Sequence, residues 1–227
     1  VRIITRESNE IKTLAEELEF ACWSSIGFLY AGKVHSIYDD VINKNVEIQL
    51  CLLDERDQVV GALTSTPIAE YISDSGGWDW ALQNSVDVKK ANMLCGLSMS
   101  IAPKYRGKGY AKLLVNALKE KALEYNIKRL VFPVRPTSKS KYLDKNIVEY
   151  ISLGIDPWIN SHLNMGGIMS YISMKSVVID KPIGFWEAWG GHYVGEHFVV
   201  PGALAPIQII DNRGIYEEPN VWFVHRC

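Results

Sequence analysis

Two short segments of this chain carry residue types at spacings that could do chemistry. The first is Leu97 to Lys112, LSMSIAPKYRGKGYAK, where an alternating strand pattern runs into a basic turn with two glycines and then directly into a helix pattern. Gly107 and Gly109 lack the Cβ atoms that would hold a diphosphate off the backbone, and both can adopt the φ > 0 conformations that aim successive N–H groups into one concavity. Arg106 and Lys108 add charge, and the following helix adds the partial positive charge of its N-terminus. Such a turn can bind a pyrophosphate, although the same pattern also serves as a plain tight connection. It is neither a P-loop, since no Lys-Ser/Thr pair follows the last glycine, nor the dinucleotide G-x-G-x-x-G.

The second segment is Asp156 to Gly167, DPWINSHLNMGG, in which His162 stands four residues before Gly166. An imidazole titrates near neutrality, so a modest environmental shift leaves it partly protonated and able to donate a proton to a leaving group. The alternative is a partly buried helix histidine bonded to Asp156 or to backbone. A base, if the reaction needs one, could be Glu70, Asp79, Asp156 or Glu187, and the sequence does not choose among them. The cysteines Cys22, Cys51, Cys95 and Cys227 are scattered, and the five histidines share no ligand spacing, so no metal is expected. Cys51 and Cys95 lie in apolar runs and read as small hydrophobes, with a cysteine nucleophile a lesser alternative.

The elements that must position these residues are set by periodicity. Val1 to Thr5 reads as a strand, Ser8 as the N-cap of a helix reaching about Trp23, and Ile26 to Asn43 as a mixed stretch holding a second helix. Val46 to Leu53 and Val59 to Pro67 form a hairpin across a charged turn at Asp54 to Asp57. Between Ala69 and Ala91 the pattern lapses: Ser73 to Gly77 reads as flexible, and Trp78 and Trp80 either cap the core from a short folded-over segment or belong to a lid that excludes water from an acyl group. Met93 to Ile101 is the strand beside the site, and residues 109 to 125 form an amphipathic helix with Leu114, Ala117, Leu118, Ala122 and Tyr125 on one stripe and Asn126 as C-cap. Arg129 to Val134 is the next strand, ended by Pro133 and Pro136. Further on, Ile168 to Ile179 is a strand pair or one long bent strand. Phe185, Trp186 and Trp189 mark a short amphipathic element, and Asp211 to Gly214 turns a hairpin.

The run Arg106-Gly107-Lys108-Gly109-Tyr110-Ala111 resembles the [Q/R]-x-x-G-x-[G/A] signature of the GCN5-related N-acetyltransferase (GNAT) superfamily, with Ile101-Ala102-Pro103 before it and a helix after it as in that family. The resemblance covers the core from about Asn92 to Gly167. It implies an α/β GNAT fold: a mixed central sheet flanked by helices, here with an elaborated C-terminal strand region from 168 to 227, in a single domain. It also implies that residues 106–111 hold the pyrophosphate of acetyl-CoA or another acyl-CoA and that Ile101 and its neighbours pair with pantetheine. His162 takes the place of the family's usual tyrosine acid. Asp156-Pro157 with His162 resembles GNAT-like loading domains of polyketide synthases, which decarboxylate malonyl-CoA and acylate a carrier-protein thiol. Their accompanying Thr and Arg do not transfer, because position 177 is Val177 and the strand reads Val131, Phe132, Pro133, Val134. Phrases such as VVPGALAPI resemble an enlarged bacterial group of GNAT-like proteins.

Composition bounds the rest. With 227 residues, 48% hydrophobic content and a formal charge of −2, the chain can build a core and offers no electrostatic case for nucleic acid. No run of transmembrane length and no leader pattern is visible, so a cytoplasmic protein without a membrane partner is expected. The chain opens at Val1, which leaves open that it is part of something longer. The expected activity is transfer of an acetyl or other short acyl group from acyl-CoA to an amine, on a small molecule or a carrier. The loading domain and a silent acyl-CoA binding module are alternatives, and a homodimer is left open. Trp186, Trp189 and Trp222 read as core, or else as the lining of the acceptor pocket.

Overall fold

The computed structural model describes residues 1–70 and 76–227. Its elements in chain order are β1 (Arg2–Thr5), α1 (Asn9–Trp23), α2 (Tyr38–Lys44), β2 (Leu50–Leu53), β3 (Val59–Ile68), α3 (Trp78–Gln83), β4 (Met93–Ile101), α4 (Tyr110–Glu124) and β5 (Arg129–Val134). The second half of the chain adds α5 (Ile147–Ser152), α6 (Pro157–Asn164), β6 (Ile168–Pro182), α7 (Ile183–Ala188), β7 (His192–Val194), β8 (His197–Val199), β9 (Gln208–Ile210) and β10 (Arg213–Arg226). Local chemistry sets several boundaries. Ser8 caps α1 by accepting from the Ile11 N–H, and Asp156 caps α6 by accepting from the Trp158 and Ile159 N–H groups. Asp211 and Asn212 both adopt positive φ (47° and 61°) between β9 and β10, as a tight primed hairpin turn requires.

The main sheet runs β1-β2-β3-β4-β5-β10-β6, with β9 also on β10, and every pairing is antiparallel except β4 with β5. This is the expected mixed α/β sheet flanked by helices. Successive strand residues point to opposite faces, and the pairs Leu94/Cys95, Val131/Phe132 and Trp222/Phe223 each divide between two cores in this way. On one face α4 and α6 pack with Leu114, Leu118 and Ile159 on Leu94, Phe132 and Phe223. On the other, α2 and α3 pack on Cys95, Leu97, Val131 and Trp222, and Ala15 of α1 on Cys51 and Ala62. A third core lies around Phe28, Trp186 and Tyr216, where residues 24–31 and α7 meet the long ends of β6 and β10.

The mixed stretch 26–43 holds the expected second helix as short α2, entered through two 3-10 segments, Ser24–Ala31 and Val34–Ile37. Pro133 does not end β5: it sits inside the strand opposite Trp222 of β10. Its missing N–H is tolerated because β5 has already parted from β4 at that point. Residues 168–179 belong to a single 15-residue strand whose register slips between Glu218 and Asn220 of its partner. Ser73, Asp74 and Ser75 of the expected flexible stretch lie outside the described residues. Helix α3 is short and folds over the sheet with Trp78 and Trp80 half-buried.

Candidate functional site

The parallel pair β4 and β5 is bonded only at Leu94 with Leu130 and Cys95 with Val131, so the strands separate beyond Cys95. This leaves an open cleft between the two strands. The N–H of Ala102 donates to the Val60 carbonyl at 2.9 Å, and Ile101 faces Gly61. Because antiparallel ladders alternate, Ile101 and Met99 therefore turn their own N–H and C=O groups away from β3 and onto the free edge. A bulge interrupts β4 at Leu97, between the pairs Thr64–Ser98 and Ser65–Gly96.

The glycine turn closes the open end of that edge. Gly107 and Gly109 have φ of 74° and 80°, and nothing would lie within 4 Å of a Cβ at either. Among the described residues no partner is found for the N–H groups of Gly107, Lys108 and Gly109, and Tyr110 and Ala111 add the unbonded N–H groups of the first turn of α4. These donors face open space, as an anion cradle requires. The side chain of Arg106 has another role: its Nε donates to the Ile101 carbonyl at 3.0 Å, tying the turn to the end of β4. Lys104 and Lys108, on either side of that arginine in the chain, have ammonium groups 4.9 and 5.1 Å from the Tyr105 ring centre.

On the α4 side of the cleft, the Phe132 ring covers Gly96 so closely that a Cβ there would sit 2.1 Å from its Cε1. Behind that ring lies His162, fully buried, with ring centres of Trp158, Phe132 and Phe223 at 4.5, 5.0 and 5.1 Å. Its partner is neither Asp156 nor backbone but His225 of β10, whose Nε2 is 3.0 Å from His162 Nδ1. The Nε2 of His162 and the Nδ1 of His225 are buried without a hydrogen-bond partner among the described residues. Burial, with the neighbouring imidazole adding to it, pushes His162 down to about 3. Burial and Lys119 push His225 down to about 4. The expectation of a partly protonated His162 is thereby corrected: both rings are neutral at neutral pH.

The opposite side of the cleft is built by α3. The indole N–H of Trp78 donates to the Leu97 carbonyl at the β4 bulge (3.0 Å), and its backbone N–H donates to Ser176 Oγ on β6 (2.8 Å). Trp78 also stacks on His35 and Tyr38. The next residue, Asp79, accepts from the Val178 N–H through Oδ2, while its Oδ1 is buried without a partner among the described residues. Burial pushes this carboxyl up to about 6, and the charge of Glu218 adds to the rise. Glu218 is itself buried, gripped by Arg135 Nε at 3.1 and 3.0 Å and by the Tyr216 hydroxyl. Arg135 also donates to the Gly202 carbonyl, so one guanidinium ties β5 to β10 and to the C-terminal region.

The four candidate bases now separate. Both oxygens of Asp156 are occupied, by Trp158, Ile159, Ser138 and Tyr150. Glu70 lies by Met93 and Arg129, where β4 and β5 begin and are still closed, and Glu187 is exposed on α7. Asp79 is the one of the four that combines partial burial with an oxygen lacking a partner among the described residues, and it follows Trp78, whose indole reaches Leu97 of β4. Burial pushes the Cys51 thiol up to about 11 and Cys95 further, which suits small hydrophobes and no nucleophile. Trp186 and Trp222 are fully buried, and Val177 packs in the third core. Among the described residues there is no group of side chains that could hold a metal, and no helix is long and apolar enough to cross a membrane. The bond from Trp78 to Leu97, the His162–His225 pair and the Arg135–Glu218 pair carry no sequence signal, because each joins residues far apart in the chain.

The comparisons with known proteins agree with this fold. The family model of the acetyltransferase (GNAT) family matches residues 15–141. An arginine N-acetyltransferase of Aspergillus versicolor, avaD, is 27% identical over 221 residues, covering 82% of this chain and 74% of that protein. Among solved structures, the GphF GNAT-like decarboxylase in complex with isobutyryl-CoA superposes with a TM-score of 0.65 at 18% identity, covering 100% of this chain and 99% of that one. The loading GNATL domain of CurA from Lyngbya majuscula gives 0.56 at 17% identity, covering 77% and 88%.

Proposed function

Because this chain belongs to the GNAT acetyltransferase family, we propose that it moves an acetyl group from acetyl-CoA to the nitrogen of a cationic amine or guanidine. The observation that carries this reading is the free edge of β4, with Met99 and Ile101 turned outward and the open N–H cradle of residues 107–111 at its mouth. The cradle would hold the pyrophosphate, and Met99, with the N–H of Ile101, would pair with the pantetheine amides. Unpaired N–H groups of β4 would polarise the thioester carbonyl where its negative charge develops.

Asp79 is the base in this reading. Its Oδ1 takes one proton from the acceptor cation, which frees the nitrogen lone pair; the N–C bond forms as the C–S bond breaks with its electron pair leaving on sulfur, and the surplus proton of an ammonium acceptor passes to that thiolate. A carboxyl at about 6 is ionised at neutral pH and still basic enough to take part. The charge of Asp79 favours a cationic acceptor, and the avaD relative, named for acetylation of arginine, supports the same class. His162 lies fully buried behind Phe132, and we assign this neutral imidazole no part as an imidazolium acid. Acetyl-CoA with arginine and a panel of amines should release CoA, read as free thiol, and Gly109→Glu should abolish acetyl-CoA binding in calorimetry, because it puts a negative charge and a strained φ of 80° in the cradle. Unchanged binding by that variant would sink the assignment of the cradle.

A further inference from the structure

We propose that Trp78 sets the size of the acyl group this protein accepts, closing the inner end of the cleft against chains longer than acetyl or propionyl. The inference rests on the cleft assignment above and needs no particular acceptor. Leu97 is two residues beyond Cys95, the last residue of β4 bonded to β5. It lies four residues inward from Ile101, about 13 Å at the rise of a strand. A pantetheine arm running inward from the turn along the β4 edge brings its thioester toward this point. There the bulge carbonyl is bonded not to a strand but to the Trp78 indole N–H. The ring fills the place the far end of an acyl chain would need.

The ring is also fixed from several directions, so it cannot step aside at little cost. Its N–H is held by Leu97 and its backbone by Ser176, and its face lies against His35 and Tyr38 at centroid separations of 5.8 Å and tilts of 15° and 19°. Gly77, just before it, approaches β6 so closely that a Cβ would fall 1.8 Å from Ser176 Oγ, so the helix start is seated on that strand. The Gly76 carbonyl accepts from the Tyr171 hydroxyl and the Trp222 indole N–H, which anchors the same segment to β6 and β10. A rigid aromatic wall discriminates by steric exclusion: each methylene beyond its limit must displace the ring or leave the chain unburied.

The test is a calorimetric series with CoA, acetyl-CoA, butyryl-CoA and hexanoyl-CoA on the full chain and on Trp78→Ala and Trp78→Leu, together with acyl transfer rates for any amine that reacts. The wild type should bind hexanoyl-CoA at least about 10-fold more weakly than acetyl-CoA, and removal of the ring should shrink that ratio by about 10-fold or more. The proposal is overturned if the wild type binds hexanoyl-CoA as tightly as acetyl-CoA, or if a folded variant keeps the wild-type ratio. Should Trp78→Ala fail to fold, Trp78→Leu decides, and should both fail, the wild-type series decides. Since binding is read without an acceptor, failure to acetylate any amine would count against the amine reading alone, whereas absence of CoA binding would remove the cleft assignment itself.

Discussion

Asp79→Asn should lower the acetylation rate at pH 7.5 by about 10²- to 10⁴-fold while leaving acetyl-CoA binding within a few-fold of wild type. The substitution keeps an oxygen for the Val178 N–H and the shape of the side chain, so it removes the base without removing the contact that seats α3 on β6. In the wild type, kcat/KM should rise with pH through about 6 as the Asp79 carboxyl loses its proton, and this limb should vanish in the variant. Glu218→Gln removes the charge that helps to raise Asp79, so it should move the limb to lower pH. It also leaves Arg135 without its carboxylate, so its melting temperature should be recorded alongside. If Asp79→Asn turns over acetyl-CoA within 10-fold of wild type with its pH profile intact, Asp79 is not the base.

Acid should unfold this protein at a higher pH than its carboxylates alone would set, because of the buried pair His162 and His225. Folded, the two imidazoles take up protons only near 3 and 4, whereas in the unfolded chain a histidine does so near 6.5. The unfolded state therefore binds more protons below about 6.5. The contribution of the neutral pair is fully present above that pH and is lost as pH falls toward 4 and then 3. Each imidazole adds a slope approaching about 1.4 kcal/mol per pH unit inside its window. Melting temperatures from pH 7.5 to 4.5 should fall steeply, and a His162→Leu/His225→Leu double variant should flatten the limb. An unchanged slope in that variant would show that the pair is not held neutral. Either single substitution to Ala should cost about 2–4 kcal/mol at neutral pH, since it opens a cavity and strips the other ring of its partner.

Much of the fold was legible because its signals are local. Ser8 and Asp156 cap helices through their own side chains, the apolar stripe Leu114-Leu118-Ala122 has one helical period, and β4 and β5 begin and end where their patterns do. The glycine turn was legible for the same reason: its positive φ values and the unbonded N–H groups beyond it come from two glycines set before a helix. The 3-10 segments over 24–37 were not legible as such. The apolar residues of the first, Ile26, Phe28, Leu29 and Ala31, pack into a core formed by β6, α7 and β10 far along the chain, and that contact overrides the weak local periodicity.

For the site, the residues alone determined the positive-φ glycine turn ahead of α4 and marked His162, Asp79 and Trp78 as candidates for a part in the chemistry. Their roles were decided by what the tertiary structure places around them. His162 is neutral because β10 brings His225 against it and Phe132, Trp158 and Phe223 exclude water. Asp79 stands out among four carboxylates because Asp156 is consumed by a helix cap and its neighbours, Glu70 lies at the closed end of the strands, and Glu187 is exposed on α7. Trp78 packs against two cores and is also placed for the proposed wall, because a bulge in β4 presents a carbonyl that its indole N–H takes. A backbone cradle is written in consecutive residues. Protonation state and steric limit depend on dielectric and distance, which exist only once remote segments have packed together.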